Sequence, residues 1–438
     1  MRKEGSALDL PIAMGMLAAS DQLDGQRLPE YVLVGELALD GALRPVAGAL
    51  AMTLAARAQG LRGILLPRAN AEEAGVVRGV DVLPMDTLNE AAAFLHGEAE
   101  STPYVTDTEA LFEEGRRTVA DLTEVKGQAH VKRALTVAAA GGHNILMIGP
   151  PGTGKTMLAS RLPGILPDMT FEEALEATRI HSVVPAMNGR SSLVTARPFR
   201  NPHHTSTTVS IAGGGQGQPR PGEVSLAHNG VLFLDELPEF NRAALEVLRQ
   251  PLEDGQVHIR RANYSVTFPS RFMLVAAMNP CPCGYHTDPN RTCRCSAGEV
   301  LRYMNRLSGP LLDRIDIHVD VPALSFDELT DQRPAGPTSA SVRAEVQAAR
   351  NRQRTRYKEP TAANAHLASK ALRKHCVLGD GAQALLEQAL ERLGLSARAY
   401  DKILRIARTI ADLAGEETIS EAHLGEAVQY RSLDRVVA

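Results

Sequence analysis

The sequence lacks any apolar run long enough to cross a lipid bilayer, and it does not open with the basic and then apolar residues of a secretion leader. It contains no tryptophan, and aromatic residues make up only 4% of the chain. The apolar fraction of 44% and the charged fraction of 22% are those of an ordinary globular protein. We therefore expect a cytoplasmic protein with no membrane partner.

An excess of positive charge is also missing, since 47 lysines and arginines stand against 51 aspartates and glutamates. The formal net charge is −4. This balance excludes a protein that is basic throughout. Any contact with nucleic acid must therefore come from local basic elements that line a groove or a pore.

Cysteine is scarce and clustered, because four of the five cysteines lie within Cys281–Cys295 and only Cys376 stands apart. A secreted disulfide framework would spread its cysteines more widely. Two Cys-x-Cys pairs offer four thiolates that suit a structural Zn²⁺. The predicted zinc ligands are Cys281, Cys283, Cys293 and Cys295. His286 in place of one sulfur, or four free reduced thiols with no metal, are the alternatives.

The order of hydrophobic patterns divides the 438 residues into several segments, since a chain of this length is too long for one compact core. Strands alternating with Ala-rich helical patterns come first, a longer α/β pattern follows, and helical periodicity ends the chain. The predicted segments are an α/β domain at 1–98, a linker at 99–120, a core at 121–323, a second linker at 324–340 and a helical domain at 341–438. The first domain opens so abruptly that we expect its earliest strands to be missing.

The clearest motif is a glycine-rich loop between an apolar run, Asn144–Ile148, and a helical pattern, Met157–Leu162. Glycines let backbone N–H groups converge on phosphate oxygens at a helix N-terminus. We expect the Lys155 ammonium to contact the β- and γ-phosphates of ATP and the Thr156 hydroxyl to ligate Mg²⁺. The predicted nucleotide-binding residues are Gly149, Pro150, Pro151, Gly152, Thr153, Gly154, Lys155 and Thr156.

Polar residues at the ends of two further strands complete the predicted site. The run Val231–Leu234 ends in Asp235 and Glu236, which we expect to hold Mg²⁺ and to act as the general base, respectively. A third strand ends before Asn279, which is placed to hydrogen-bond the γ-phosphate or the attacking water. Near a predicted subunit edge, Arg314 could reach a neighbouring active site. These motifs predict an ATPase of the AAA+ class, which works in a ring of identical subunits.

Two longer runs carry a family resemblance. They are Arg197–Ser206, which includes His203 and His204, and Pro221–Leu237. Both closely resemble magnesium-chelatase-like AAA+ proteins. In combination with the first domain and the cysteine cluster, they resemble the ComM/YifB family within that group, in an N-terminally shortened form. The two histidines could contact substrate or a neighbouring subunit, or only hydrogen-bond the local backbone.

The resemblance implies a fold and a function. The implied fold is an AAA+ phosphate-loop core with a parallel sheet, preceded by a partial Lon-protease-like domain and followed by an α-helical lid. The implied function is a hexameric DNA helicase that drives branch migration in recombination and natural transformation. The resemblance also implies an arginine-finger role for Arg314, a second-sensor role for Arg398, and a pore hairpin at Gln256–Phe268 that carries Arg260 and Arg261.

The resemblance of the first domain to Lon proteases lies in the run Gly35–Val46. Lon needs a nucleophilic serine and a lysine, but Asp9 and Leu50 fall at those places, and nearby Ser6 has no matching lysine. We therefore interpret the domain as a non-proteolytic structural or assembly module.

Two other functions stay open at this point. One is a magnesium-chelatase-type motor that remodels a porphyrin-binding protein partner, and the other is a nucleotide-gated scaffold with negligible turnover. For the basic run Arg343–Lys358, we expect a solvated helix face, with DNA contact as the alternative.

Overall fold

The computed structural model describes residues 7–183, 193–215, 219–261, 264–286, 288, 291–330, 336–393 and 396–431. Ser6 and the hairpin residues Ala262 and Asn263 lie outside this range. The chain divides into two compact units. One comprises residues 1–117 and 170–196, and the other comprises residues 118–169 and 197–438. None of the helices in the described ranges combines the length and the apolar character that a membrane span requires.

The first unit is built on a parallel sheet whose central strand is apolar throughout. Its parallel strands are β1 (Tyr31–Leu33), β4 (Gly63–Pro67) and β5 (Asp81–Met85), in the order β1-β4-β5. A short hairpin joins β2 (Glu36–Leu37) to β3 (Leu43–Arg44). The helices are α1 (Asp9–Ala19), α2 (Ala49–Ala58), α3 (Ala71–Ala74), α4 (Leu88–His96), α5 (Thr108–Arg117) and α8 (Phe171–Ser182).

Successive residues of β4 supply two separate apolar clusters. Leu65 packs with one cluster, while Ile64 and Leu66 pack with the other. Side chains alternate between the faces of a strand, so a strand covered on both faces becomes a continuous apolar run. This explains why the sequence of β4 shows no polar alternation.

The second unit contains a five-stranded parallel sheet among the described residues. The strands are β6 (Ile145–Ile148), β7 (Phe199–Arg200), β10 (Val231–Leu234), β13 (Met273–Met278) and β14 (Ile317–Asp320), in the order β14-β6-β13-β10-β7. Two short antiparallel pairs accompany them: β8 (Gly213–Gly214) with β9 (Arg220–Pro221), and β11 (Gln256–Arg261) with β12 (Tyr264–Pro269).

The helices of this unit cover both faces of the sheet. Those before β14 are α6 (Ala129–Gly141), α7 (Lys155–Ile165), α9 (Thr208–Ala212), α10 (Glu223–Leu226), α11 (Arg242–Glu246), α12 (Arg249–Asp254), α13 (Ala297–Met304) and α14 (Gly309–Leu312). Those after β14 are α15 (Phe326–Thr330), α16 (Ser339–Tyr357), α17 (Ser369–His375), α18 (Asp380–Leu393), α19 (Ala397–Ala414) and α20 (Glu421–Gln429). The predicted class, a parallel-sheet α/β core followed by a helical region, is confirmed.

The C-terminal helices share one apolar core with the sheet. Phe233 of β10 packs in the same cluster as Val346 of α16 and Ile403 of α19, whereas Leu232 and Leu234 belong to the cluster on the other face. A buried carboxylate, Asp412, forms ion pairs with Arg356 of α16 and Arg408 of α19. The helical region is therefore packed directly on the five-stranded sheet.

Candidate nucleotide site and cysteine cluster

The glycine-rich loop lies at the carboxyl end of β6 and leads into α7, as the sequence predicts. Gly154 caps α7 with φ +88°, a backbone conformation that glycine adopts without steric cost. The first N–H groups of an α-helix have no partner within the helix, so those of α7 are available to an anion. The loop therefore has the form of a phosphate cradle.

Lys155 is folded back onto the loop and is largely buried. Its Nζ donates to the carbonyl oxygens of Gly149 at 2.7 Å and Pro150 at 2.8 Å, and to Oδ1 of Asn279 at 3.2 Å. Burial lowers the pKa of Lys155, while the charges of Asp235 and Glu236 oppose that shift. The ammonium thus stands among oxygen acceptors at the place where a phosphate would lie.

Thr156 and Asp235 meet across two elements. Oγ1 of Thr156 donates to Oδ2 of Asp235 at 2.7 Å, which joins the start of α7 to the end of β10. A hydroxyl and a carboxylate oxygen at this spacing are ligands that Mg²⁺ prefers. The residues present therefore fit a magnesium ion together with a triphosphate.

Asn279 reaches the site from β13, which lies between β6 and β10. Its side chain bonds Lys155, and its backbone N–H bonds the phenol of Tyr303 in α13. Burial raises the pKa of Tyr303 to about 12, so this phenol stays neutral. Because the carboxyl ends of neighbouring parallel strands share one edge, the sheet brings together Lys155, Thr156, Asp235 and Asn279.

Arg314 and Arg398 lie in a different group of residues. Arg314 pairs with Glu253, and Arg398 pairs with Asp313 at 2.6 Å. Burial lowers the pKa of Arg314, and the charges of Arg249 and Arg398 lower it further. Neither Arg314 nor Arg398 forms a hydrogen bond or ion pair with the phosphate loop among the described residues. Their predicted action on a nucleotide stays a prediction.

The cysteine cluster is assembled as the sequence predicts. One Sγ atom from each of Cys281, Cys283, Cys293 and Cys295 lies within 4.8 Å of the others. The Sγ–Sγ distances from Cys281 are 3.4 Å to Cys283 and 3.8 Å to Cys293. Tetrahedral zinc with Zn–S bonds of about 2.3 Å places its sulfurs about 3.8 Å apart, so the donors fit zinc. His286 does not belong to this group of potential ligands in the described range.

The cysteine loop touches the phosphate loop. A Cβ atom added to Gly284, whose φ is +86°, would lie 2.7 Å from Cδ of Pro151 and 3.9 Å from Cγ of Asn279. At its other end, Cys295 is followed directly by Ser296, the N-cap of α13. The cluster thus lies in a segment that contacts the phosphate loop at Gly284 and continues into the helix that carries Tyr303.

One contact within the site was not predicted from sequence. Nδ1 of His204 lies 3.2 Å from Oε2 of Glu236. His204 follows β7, which pairs with β10. The rule that parallel strands end at one edge could have placed this histidine beside Glu236, had the short strand β7 been recognised.

Three of the five arginines of α16 bond other parts of this unit, although one of the three, Arg352, is exposed. Arg350 donates to the carbonyl oxygen of Ala139, and Arg352 to that of Asp412. Arg356 is paired with the Asp412 carboxylate. These three side chains therefore anchor the C-terminal helices.

Family profiles match most of the chain. Residues 121–329 match the family described as magnesium chelatase, subunit ChlI, and residues 336–431 match its C-terminal family. Residues 1–70 match a family described as subunit ChlI of magnesium chelatase. With the parallel sheet and the phosphate loop, these matches define an AAA+ core of the magnesium-chelatase type.

Individual relatives narrow this class. The chain is 48% identical to competence protein ComM of Haemophilus influenzae over 439 residues, which cover 99% of this chain and 84% of that protein. It is 48% identical to the uncharacterised protein YifB of Escherichia coli over 436 residues, with the same coverage of 99% and 84%. The chain belongs to the ComM/YifB family of magnesium-chelatase-like AAA+ proteins. It is also 29% identical to Lon protease 2 of Bacillus subtilis over 155 residues, which cover 32% of this chain and 27% of that protein.

Proposed function

We propose that the chain is a Mg²⁺-dependent ATPase. The observation that carries this proposal is the convergence of Lys155, the Thr156–Asp235 pair and Asn279 at one edge of the sheet, with Glu236 next to Asp235. The loop amides and Lys155 would hold the phosphates. Thr156 and Asp235 would hold Mg²⁺, and the bound ion would neutralise part of the phosphate charge.

Glu236 is the proposed general base. It directly follows the carboxylate that would hold Mg²⁺, and its own side chain is 54% exposed, so water has access to it. Asn279, which bonds Lys155, is placed to orient the γ-phosphate or the attacking water. This division of roles leaves proton abstraction to Glu236 and phosphate positioning to Lys155 and Asn279.

The arginines support action within a ring. Arg314 and Arg398 stand near each other and are paired with acids outside the phosphate loop. We propose that the chain forms a homo-oligomer, a hexamer, in which Arg314 acts as the arginine finger on a neighbouring subunit's nucleotide and Arg398 as the second sensor at the γ-phosphate. When the ring assembles, each of these arginines would leave its acidic partner and bind phosphate oxygens instead.

The mechanical output that we propose is DNA helicase activity with branch migration. Its support is the family resemblance, the similarity to a competence protein, and the hairpin β11–β12, on which Arg260 is exposed beside the tip. Val257 and Ile259 anchor the hairpin, because their side chains pack in the same apolar cluster as Leu232 and Leu234 of β10. An anchored hairpin with an exposed arginine can follow a phosphate backbone.

The decisive experiment measures ATP turnover, oligomer mass and movement of a four-way DNA junction by the same preparation. We expect DNA-stimulated turnover and junction movement from a hexamer, with both lost in Lys155→Ala. Glu236→Gln should bind ATP and assemble but not turn over. Equal, negligible turnover in wild type and in this variant would instead support a nucleotide-gated scaffold. A hexamer that hydrolyses ATP but never moves DNA would contradict the helicase proposal and leave the ATPase proposal standing.

A second candidate function is a chelatase-type motor, which the family match to magnesium chelatase subunit ChlI favours. Such a motor would remodel a separate porphyrin-binding protein. Turnover that is insensitive to DNA but stimulated by a porphyrin-binding partner would support it over the helicase.

We also propose that the cysteine cluster holds a structural Zn²⁺. The support is the set of four sulfur donors at spacings that suit tetrahedral ligation. The backbone N–H groups of Arg294 and Tyr285 lower the pKa of Cys283 to about 6, whereas desolvation and the neighbouring thiols Cys283 and Cys281 raise the pKa of Cys293 and Cys295. A bound cation would favour the thiolate form of all four cysteines. Because Gly284 packs against Pro151, the metal would hold the loop beside the nucleotide.

A further inference from the structure

The backbone around Arg314 is held by side chains from elsewhere in the second unit. Nδ2 of Asn144 donates to the carbonyl oxygen of Arg314 at 2.8 Å. The next carbonyl oxygen, that of Ile315, accepts from two buried cations, Nζ of Lys402 at 3.0 Å and a guanidinium nitrogen of Arg431 at 2.9 Å. Because two donors converge on one carbonyl oxygen, they restrict rotation of the peptide group that follows Ile315.

Lys402 also faces a buried carboxylate. Its Nζ lies 3.9 Å from Oδ1 of Asp316, whose other carboxylate oxygen lies 3.4 Å from Nδ1 of His143. Burial alone would raise the pKa of Asp316, but His143 and then the charge of Lys402 lower that pKa to about 2. The carboxylate is therefore ionised in the folded protein at neutral pH, and it attracts the ammonium that bonds Ile315.

Helix α19 contacts the chain both before and after Arg314. Lys402 follows Arg398 by four residues in α19, so the two side chains lie on the same face of the helix. Arg398 pairs with Asp313, and this pair is at the surface, since the Arg398 side chain is 75% exposed. The Lys402 side chain is only 7% exposed, so its contact with Ile315 is the more firmly held of the two.

We propose that Lys402 is a positioning residue, which holds the backbone at Ile315 so that Arg314 can reach the nucleotide of a neighbouring subunit. The inference rests on the ATPase function and the arginine-finger role proposed above. Once Arg398 binds phosphate instead of its acid, the buried bond from Lys402 still ties Arg314 to α19. Loss of that bond should therefore lower turnover without weakening nucleotide binding.

The first test replaces Lys402 in the full chain with methionine, which has a similar length but no hydrogen-bond donor. We expect Lys402→Met to lower kcat for ATP by about 10- to 100-fold, because a displaced arginine stabilises the transition state poorly. The KM and the ring mass should not change. The matched control is Lys132→Met, at another buried lysine of the same unit, whose Nζ donates to the carbonyl oxygen of Val125. This control should keep the wild-type kcat.

A second comparison separates the bond to Ile315 from the buried charge pair. Lys402→Met leaves Asp316 without its cation, which can destabilise the fold by itself. Asp316→Asn alone keeps the lysine donor and should retain most of the turnover, whereas Asp316→Asn combined with Lys402→Met should show the full loss of kcat. A loss in Asp316→Asn alone that is as large as in the double variant would contradict the proposal.

Mixed rings show whether Lys402 acts on the neighbouring site. Glu236→Gln subunits lack the general base but supply an intact Arg314, whereas Lys402→Met subunits retain the base. A mixture of the two should therefore hydrolyse ATP faster than both variants assayed separately, and so should a mixture of Glu236→Gln with Arg314→Ala.

The outcomes of these experiments separate the inference from the proposals on which it rests. An unchanged kcat in Lys402→Met, an equal loss in Lys132→Met, a loss confined to KM, or mixing that rescues Arg314→Ala but not Lys402→Met would overturn the inference alone. Rescue in neither mixture would overturn the arginine-finger proposal and this inference together, while wild-type turnover keeps the ATPase proposal standing. Absence of turnover in wild-type protein that binds Mg·ATP would overturn all three.

Discussion

The hydroxyl of Thr156 donates a 2.7 Å hydrogen bond to the carboxylate of Asp235. This bond links the first turn of α7 to the end of β10, at the place where we propose that Mg²⁺ binds.

Replacing Thr156 tests that link. Thr156→Val keeps the shape of the side chain but removes the hydroxyl, so we expect turnover to fall at least about 10-fold and the Mg²⁺ requirement to rise. Thr156→Ser keeps the hydroxyl and should stay near wild type. The measurement is a Mg²⁺ titration of ATP turnover, and identical titration curves for the valine variant and wild type would refute the assignment.

Metal content tests the cysteine cluster. Elemental analysis of purified protein should find about one zinc per chain, since four thiolates saturate a tetrahedral site. Cys283→Ser and Cys293→Ser together should abolish zinc binding and lower the thermal midpoint. Cys376→Ala, at a buried cysteine outside the cluster, is the control and should keep the metal. Full stability and turnover without metal would contradict a structural role.

The buried carboxylate of Asp412 should be important for the stability of the C-terminal helices. It is fully buried and pairs with Arg356 at 2.5 Å and Arg408 at 3.2 Å, and it accepts a hydrogen bond from Asn364 at 2.9 Å. Asp412→Ala leaves two arginines without their buried partner, which we expect to cost about 3–5 kcal/mol in the free energy of unfolding.

A half-exposed aspartate in the same unit provides the control for that prediction. The Asp168 side chain is 47% exposed and lies 3.6 Å from Arg343. Exposed ion pairs contribute about 0–1 kcal/mol, so Asp168→Ala should have little effect in the same chemical denaturation experiment. Equal losses for both variants would show that burial does not set the size of the effect.

The elements around the nucleotide site could be predicted because local patterns and backbone rules agree there. An apolar run before a glycine-rich loop gives β6 and α7, and an apolar run before two acids gives β10. The meeting of Thr156 with Asp235 then follows from parallel strands ending at one edge. No long-range information is needed beyond that rule.

Other features depend on contacts that the sequence pattern does not reveal. The largely apolar run from residue 31 to residue 39 does not form one strand. It is divided into β1 and β2 at Gly35, whose N–H donates to the carbonyl oxygen of Ala7 and whose carbonyl oxygen accepts from the N–H of Leu10. Residues 170–196 join the first compact unit, although they lie between two parts of the second in sequence. The pairing of His204 with Glu236 depends on a two-residue strand, β7, which is too short to leave a periodic signal.

Acidification should destabilise the second unit through a buried histidine. His318 in β14 is 2% exposed, and neither ring nitrogen has a hydrogen-bond partner among the described residues. Burial, followed by the charges of Arg431 and Lys402, holds the pKa of His318 well below its usual value, against the opposing charge of Asp316. The folded protein therefore keeps this ring neutral, while the unfolded chain binds a proton below pH of about 6.5.

The sign of the effect follows from that difference in proton binding. The unfolded state binds more protons below pH of about 6.5, so the free energy of unfolding should fall by up to about 1.4 kcal/mol per pH unit as the pH decreases from there. Denaturation curves for wild type and His318→Leu between pH 7 and pH 5 measure this slope. We expect the free energy of unfolding to depend less steeply on pH in His318→Leu than in wild type. Parallel pH profiles for the two proteins would show that His318 binds protons equally in the folded and the unfolded state.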